Sequence, residues 1–231
     1  MKVKKLIGKI HLWLGLASGL VVFILGITGC IYAFEEELKK LFYADRLKVE
    51  VVNNYQQATV SRLLSVAQKA AGTEIPLQNI DISNDPQESV VFRKYKSSQE
   101  ITGFWYWSDS KYYHWVYLNP YSSEVLHQGD ETFEFFRFVL SLHTSLLLKY
   151  DIGAPVTGWS TLIFVIMLIT GLVLWWPKNK KAKEQRTWFR WKSTTKWKRK
   201  NYDLHNILGF YSMFLVIFIA LTGLMWAFSW F

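Results

Sequence analysis

The stretch Ile10-His11-Leu12-Trp13-Leu14-Gly15-Leu16-Ala17-Ser18-Gly19-Leu20-Val21-Val22-Phe23-Ile24-Leu25-Gly26-Ile27-Thr28-Gly29-Cys30-Ile31-Tyr32-Ala33-Phe34 decides the fold. It carries no Asp, Glu, Lys or Arg. A bilayer core of about 30 Å is crossed by roughly 20 helical residues, so the stretch is long enough to span it. Two further stretches, Ala154 to Trp176 and Ile207 to Phe231, are equally free of charge. Three such runs predict an integral membrane protein with three transmembrane helices.

Charge placement orients the spans. The net charge is +9, from 27 basic and 18 acidic residues. Lys2, Lys4, Lys5 and Lys9 precede or open the first span, and a dense run follows the second, including Arg186, Arg190, Lys192, Lys196, Lys198 and Arg199. Every acid except Glu184 and Asp203 lies between Glu35 and Asp151. Basic loops mark the cytoplasmic side. The expected topology therefore has the N-terminus inside, residues 35–153 outside, residues 177–204 inside and the C-terminus outside. Trp188, Phe189, Trp191 and Trp197 interleave the basic run, as suits a segment lying on anionic headgroups rather than on nucleic acid. Five parts follow: residues 1–34, N-terminus and first span; 35–132, an extracytoplasmic domain; 133–177, an outer interfacial helix and second span; 178–203, a basic cytoplasmic loop; 204–231, the third span. Cys30 is the one cysteine, so no internal disulfide is available. Ile27-Thr28-Gly29-Cys30 is similar to the end of a lipoprotein signal, but the apolar run continues through Phe34, and a small buried Cys is expected instead.

The first and third spans repeat each other. With His11 placed over His205, an offset of 194, Gly15 meets Gly209, Ser18 meets Ser212, Val22 meets Val216, Thr28-Gly29 meets Thr222-Gly223, and Ala33-Phe34 meets Ala227-Phe228. The spacing from His to Thr is 17 in both copies. His11, Gly15, Gly19, Val22, Gly26 and Gly29 share one helix face, and His205, Gly209, Met213, Val216, Ala220 and Gly223 share its counterpart. Small residues on a face admit either a second helix or a flat cofactor close to the backbone. A histidine at a span end commonly anchors or packs there. Two histidines equivalent in a repeat, at one membrane depth, point to a shared role. His143, on an apolar helix expected over Phe133 to Lys149, should lie near the outer membrane surface. The segment Asp151-Ile152-Gly153-Ala154-Pro155 is expected to break that helix, with Pro155 opening the next.

The exported domain reads as small α+β. Ala58 to Ala71 is an amphipathic helix with Val60, Leu63, Leu64, Ala67 and Ala71 on one face. Strands are expected at Ile75 to Ile82, Val90 to Lys96, Ile101 to Trp107 and Lys111 to Leu118, separated by turn residues such as Asn84-Asp85-Pro86 and Asn119-Pro120. The domain shows no nucleophile–base pair and no metal-ligand spacing, and His114 and His127 read as structural. The aromatics Trp105 to Trp107, Tyr112, Tyr113 and Trp115 read as sheet core.

Together these residues resemble the PepSY-associated transmembrane family. His11-Leu12-Trp13-Leu14-Gly15-Leu16 with Gly26-Ile27-Thr28-Gly29 is similar to its first helix. Leu142-His143-Thr144-Ser145-Leu146-Leu147-Leu148, Ile169-Thr170-Gly171-Leu172 and Trp175-Trp176-Pro177 are similar to its second, and Asn201 to Gly209 to its third. Val116-Tyr117-Leu118-Asn119-Pro120-Tyr121 with Glu124-Val125-Leu126 resembles a PepSY hairpin, with Ser122-Ser123 in place of the usual Thr-Gly. The resemblance implies a membrane α-helical protein with an inserted PepSY-like domain. It also implies haem b held by His11, His205 and His143 as iron ligands, as in inner-membrane ferric-siderophore reductases. His11 and His205 would bracket one haem near the cytoplasmic face, and His143 would serve a second near the outer face. Larger members continue into a fourth helix, so the second ligand at His143 would come from such a segment or from a further subunit.

Two functions of different class follow. One is a redox protein passing electrons across the membrane to a ferric siderophore in the periplasm. No Gly-rich phosphate cradle is present for a nicotinamide, so a separate electron donor is implied. The other is a membrane-tethered PepSY module that restrains a peptidase or assists transport, without redox activity. Lipid is a partner in either case, and nucleic acid in neither.

Overall fold

A computed structural model describes residues 2–51, 56–72, 76–97 and 103–230. The chain divides into two units, residues 1–25 with 154–231, and residues 26–153. Three helices are long and apolar enough to cross a membrane: α1 (Lys2–Ala33), α6 (Tyr150–Trp175) and α8 (Trp197–Ala227). The first and last begin well before their apolar parts, because Lys and Arg are good helix formers and the basic flanks continue the same helices.

In the first unit, the inner face of α1 runs through buried Ser18, whose hydroxyl donates to Leu14 O at 2.9 Å. A Cβ at Gly15 would lie 3.0 Å from Met167 Cε of α6, so this glycine permits a close approach. Gly19 and Gly209 have nothing within 4 Å of such a Cβ, so the small-residue faces stay open there. The C-terminus of α6 is closed by Arg186 of α7 (Lys180–Thr187), whose guanidinium donates to Leu174 O at 3.1 Å, to Trp176 O at 3.4 Å and to Trp175 O. A cation on the last free carbonyls is favourable by charge and by hydrogen bonding. Asn179 caps α7 by accepting from Ala182 N at 2.8 Å. The basic run thus contains a folded helix and not only a surface segment. Its return into α8 is tied by Asp203, buried beneath Arg199 Nε at 3.0 Å and Trp191 Nε1 at 3.2 Å.

The second unit holds a four-stranded antiparallel meander, β1 (Asn79–Asp81), β2 (Val90–Ser97), β3 (Ser110–Leu118) and β4 (Val125–Asp130), in that spatial order. Alternation puts Phe92, Val116 and Leu118 on one face, where Leu63 and Ala67 of α4 (Val60–Ala71) cover them. Thr59 caps α4, and Gly72 ends it at φ 82°, a conformation glycine takes without strain. The opposite face presents Val91, Trp115 and Tyr117. Leu47 of the short helix α3 (Ala44–Leu47) packs there, and α2 (Glu35–Phe42) sends Lys39 to within 5.6 Å of the Trp115 ring. Two covered faces give this small sheet a core on both sides.

Several expectations are corrected. The strand expected at Ile101 to Trp107 is absent over its described part. Residues 101–102 lie outside the described residues, Trp105 makes one bridge to Leu148, and Tyr106–Asp109 forms a 3-10 turn. Its aromatic run reflects ring packing, with Trp105 and Trp107 stacked at 5.2 Å. Ile75 also lies outside the described residues, and β1 is three residues long. The outer helix α5 is Phe135–Ser145, ended by Leu146 at φ 54° and Leu147 at φ 63°. Asp151 to Pro155 therefore does not break a helix, because α6 already begins at Tyr150 and carries Pro155 inside. Cys30 is exposed on α1, not buried.

Candidate functional site

His11 and His205 come together in the first unit. Their ring centres lie 6.2 Å apart with planes at 69°. Both border a cleft of about 730 Å³, counting the space on its open side, with Gly171, Trp175, Gly209 and Met213 among its other walls. Trp175 and Phe210 stack at 3.7 Å, nearly parallel, and form an aromatic wall. The indole of Trp175 is fixed in turn by donation to Arg186 O at 3.2 Å.

The first histidine is held from a third helix. Nδ1 of His11 lies 2.9 Å from Thr170 Oγ1 on α6, and the next residue, Gly171, leaves room for the ring: a Cβ there would stand 3.3 Å from His11 Cε1. His205 lies one turn before Gly209, whose open space faces the cleft.

His143 sits in the second unit, on α5. Its Nδ1 is 3.0 Å from Thr28 Oγ1, in the last turns of α1. A Cβ at Gly29 would stand 3.0 Å from His143 Cε1, so only glycine leaves the ring where it is. Sequence spacing offered no partner for His143. The signal was the Thr-Gly step present in all three spans, read in the first and third as part of a repeat and in the second as part of the family resemblance. Thr28 and Thr170 are accordingly the residues that sequence reasoning missed.

The remaining histidines belong to the sheet. Burial, reinforced by the Lys94 charge, lowers the pKa of His114, and its Nε2 is buried without a hydrogen-bond partner. His127 Nε2 is 3.3 Å from Glu131, which Arg46 also binds at 2.8 Å. Beside them Tyr43 donates to Glu134 at 2.8 Å, and burial first, then that bond, pushes its phenol up to about 12. Glu134 meanwhile caps α5 through Phe136 N at 3.0 Å and Arg137 N at 2.8 Å. Each acid named in this network has a structural task.

Among the described residues, no group of three or more His, Cys, Asp or Glu side chains is arranged to hold a bare metal ion. The family model described as the PepSY-associated TM region matches residues 9–231, nearly the whole chain. A comparison with curated proteins finds no match.

Proposed function

The chain belongs to the PepSY-associated TM family, and from that premise we propose that it is a haem-binding redox protein of the bacterial inner membrane. It passes electrons from a cytoplasmic-side donor toward a ferric chelate, such as a ferric siderophore, on the outer side. In this reading the N-terminus and residues 177–204 are cytoplasmic and the PepSY-like domain within residues 35–153 is extracytoplasmic, which the distribution of Lys and Arg supports.

The observation that carries this reading is the approach of His11 and His205, from equivalent positions of two repeated helices, to 6.2 Å between ring centres. At that separation both imidazoles could reach one metal ion through nitrogens about 2 Å from it. The donor set also fits: two neutral nitrogens suit an iron whose other four ligands come from a macrocycle. The open space at Gly209 and the aromatic wall of Trp175 and Phe210 suit the face of a flat, apolar group. Bound there, haem b would supply reversible one-electron chemistry at low-spin iron. The residues of this chain hold and orient the imidazoles and keep water from the apolar side of the cleft. His143, with its nitrogen held by Thr28, is the matching candidate ligand for a second haem near the outer face.

Sealed vesicles carrying the purified protein provide the test, with an impermeant reductant on one side and a ferric chelate on the other. Ferrous iron should appear on the chelate side with the wild-type protein and fall to the protein-free rate with His11→Ala or His205→Ala. A wild-type protein that conducts no better than empty vesicles and holds no haem leaves the tethered PepSY binding module as the account of this chain.

A further inference from the structure

Two histidines on different elements meet the same two-residue step. His11 of α1 meets Thr170-Gly171 of α6, and His143 of α5 meets Thr28-Gly29 of α1. In each case the threonine oxygen lies at Nδ1, 2.9 Å and 3.0 Å away. In each case the glycine lies against Cε1, where a Cβ would come to 3.3 Å and 3.0 Å. The hydroxyl meets one ring atom, and the absence of a Cβ leaves room for the adjacent one. The step alone does not make this arrangement. At Thr222-Gly223 the hydroxyl donates to Ile219 O at 2.8 Å, and the nearest atom to a Cβ on Gly223 is Thr161 Cγ2 at 3.9 Å.

We propose that Thr170-Gly171 and Thr28-Gly29 are seats for histidine rings, and that at His11 the threonine selects which ring nitrogen is left free for iron. The chemistry is clearest at His11. Thr170 Oγ1 lies 2.9 Å from Ile166 O and 3.1 Å from Met167 O. A hydroxyl has one proton and two lone pairs, and a threonine inside a helix gives that proton to a carbonyl about one turn back. The oxygen therefore turns a lone pair toward His11. Nδ1 carries the ring proton and donates it to Thr170, and Nε2 is left as the lone-pair nitrogen. A metal-bound imidazole needs this division of labour, with one nitrogen on the metal and the other donating to a fixed acceptor. Thr170, Gly171, Thr28 and Gly29 are thus positioning residues. This inference deepens the haem-binding reading and rests on it for the identity of the ligand, while the tautomer is a property of the protein alone.

The test has two arms on the full chain in detergent. In the first, histidine 15N spectra without added haem should show His11 protonated at Nδ1 in the wild type and in Thr170→Ser. Thr170→Val should move the ring toward the Nε2-protonated form. In the second, Thr170→Val should bind haem on the order of 10- to 100-fold more weakly. Its midpoint potential should rise, because a ligand that has lost its acceptor donates less charge to ferric iron, and Thr170→Ser should restore both. A wild-type His11 protonated at Nε2, or a valine variant indistinguishable from wild type in tautomer and potential, overturns the inference. If the tautomer shifts as stated but wild type takes up no haem, the seat stands and the haem reading falls.

Discussion

Ser123 shows at the scale of one residue what a local conformation costs. It stands at φ 64° in the turn between β3 and β4, where a side chain crowds the backbone by about 1–2 kcal/mol and glycine does not. The turn is otherwise well made, since Asn119 Oδ1 accepts from Tyr121 N at 2.9 Å and Asn119 O from Ser123 N at 2.9 Å. The Ser123 hydroxyl is buried without a partner, so both backbone and side chain favour glycine. Ser123→Gly should stabilise the hairpin by about 1 kcal/mol, visible as slower hydrogen exchange in β3 and β4. The departure was legible in the sequence, where Ser122-Ser123 replaces the family's Thr-Gly. Its consequence was not, because a left-handed serine and an ordinary one are written with the same letter. The same limit hid Thr28 and Thr170. Their hydroxyls are meaningful only once His143 and His11 stand beside them, and those contacts join residues more than a hundred positions apart.

At the scale of elements, the corner between α5 and α6 turns on Gly153. A Cβ there would run into the backbone of Ser145, whose Cα is 2.6 Å from the position it would take. The glycine is thus required by close approach of two backbones, although Asp151-Ile152-Gly153-Ala154-Pro155 reads in sequence like a helix break. The actual break lies at Leu146 and Leu147, both left-handed, in a run of leucines that carries no turn signal. Periodicity located α1, α4, α6 and α8 because one apolar face or an unbroken apolar run identifies a helix by itself. It failed at Ile101 to Trp107, where aromatic residues suit a strand and a ring cluster equally well. Gly153→Ala should destabilise the protein by about 3 kcal/mol or more, read as a lower melting temperature in detergent. Gly19→Ala, where nothing lies within 4 Å, should be close to neutral and serves as the control.

At the scale of the whole molecule, the chain is a membrane protein of the PepSY-associated TM family, with three apolar helices and a double-faced sheet domain. The repeat between the first and third spans, at an offset of 194, explains why His11 and His205 can meet. Equal spacing from histidine to Thr-Gly places both at the same level of helices that run the same way. Span count could be read from the sequence because each span is an unbroken apolar run, and this pairing because two spans match at a fixed offset. The seats, the corner and the buried Asp203 anchor could not, since each depends on which helix packs against which. The central claim is that the two facing histidines hold haem iron. It is tested most directly by the oxidised-minus-reduced absorption spectrum of the purified protein, expressed with iron and haem precursor supplied. Sharp low-spin bands in His143→Ala, where no outer haem can add to them, that are lost when either His11→Ala or His205→Ala is combined with it, are the predicted result. A wild-type protein without haem bands, or haem bands that survive either combination, would contradict it.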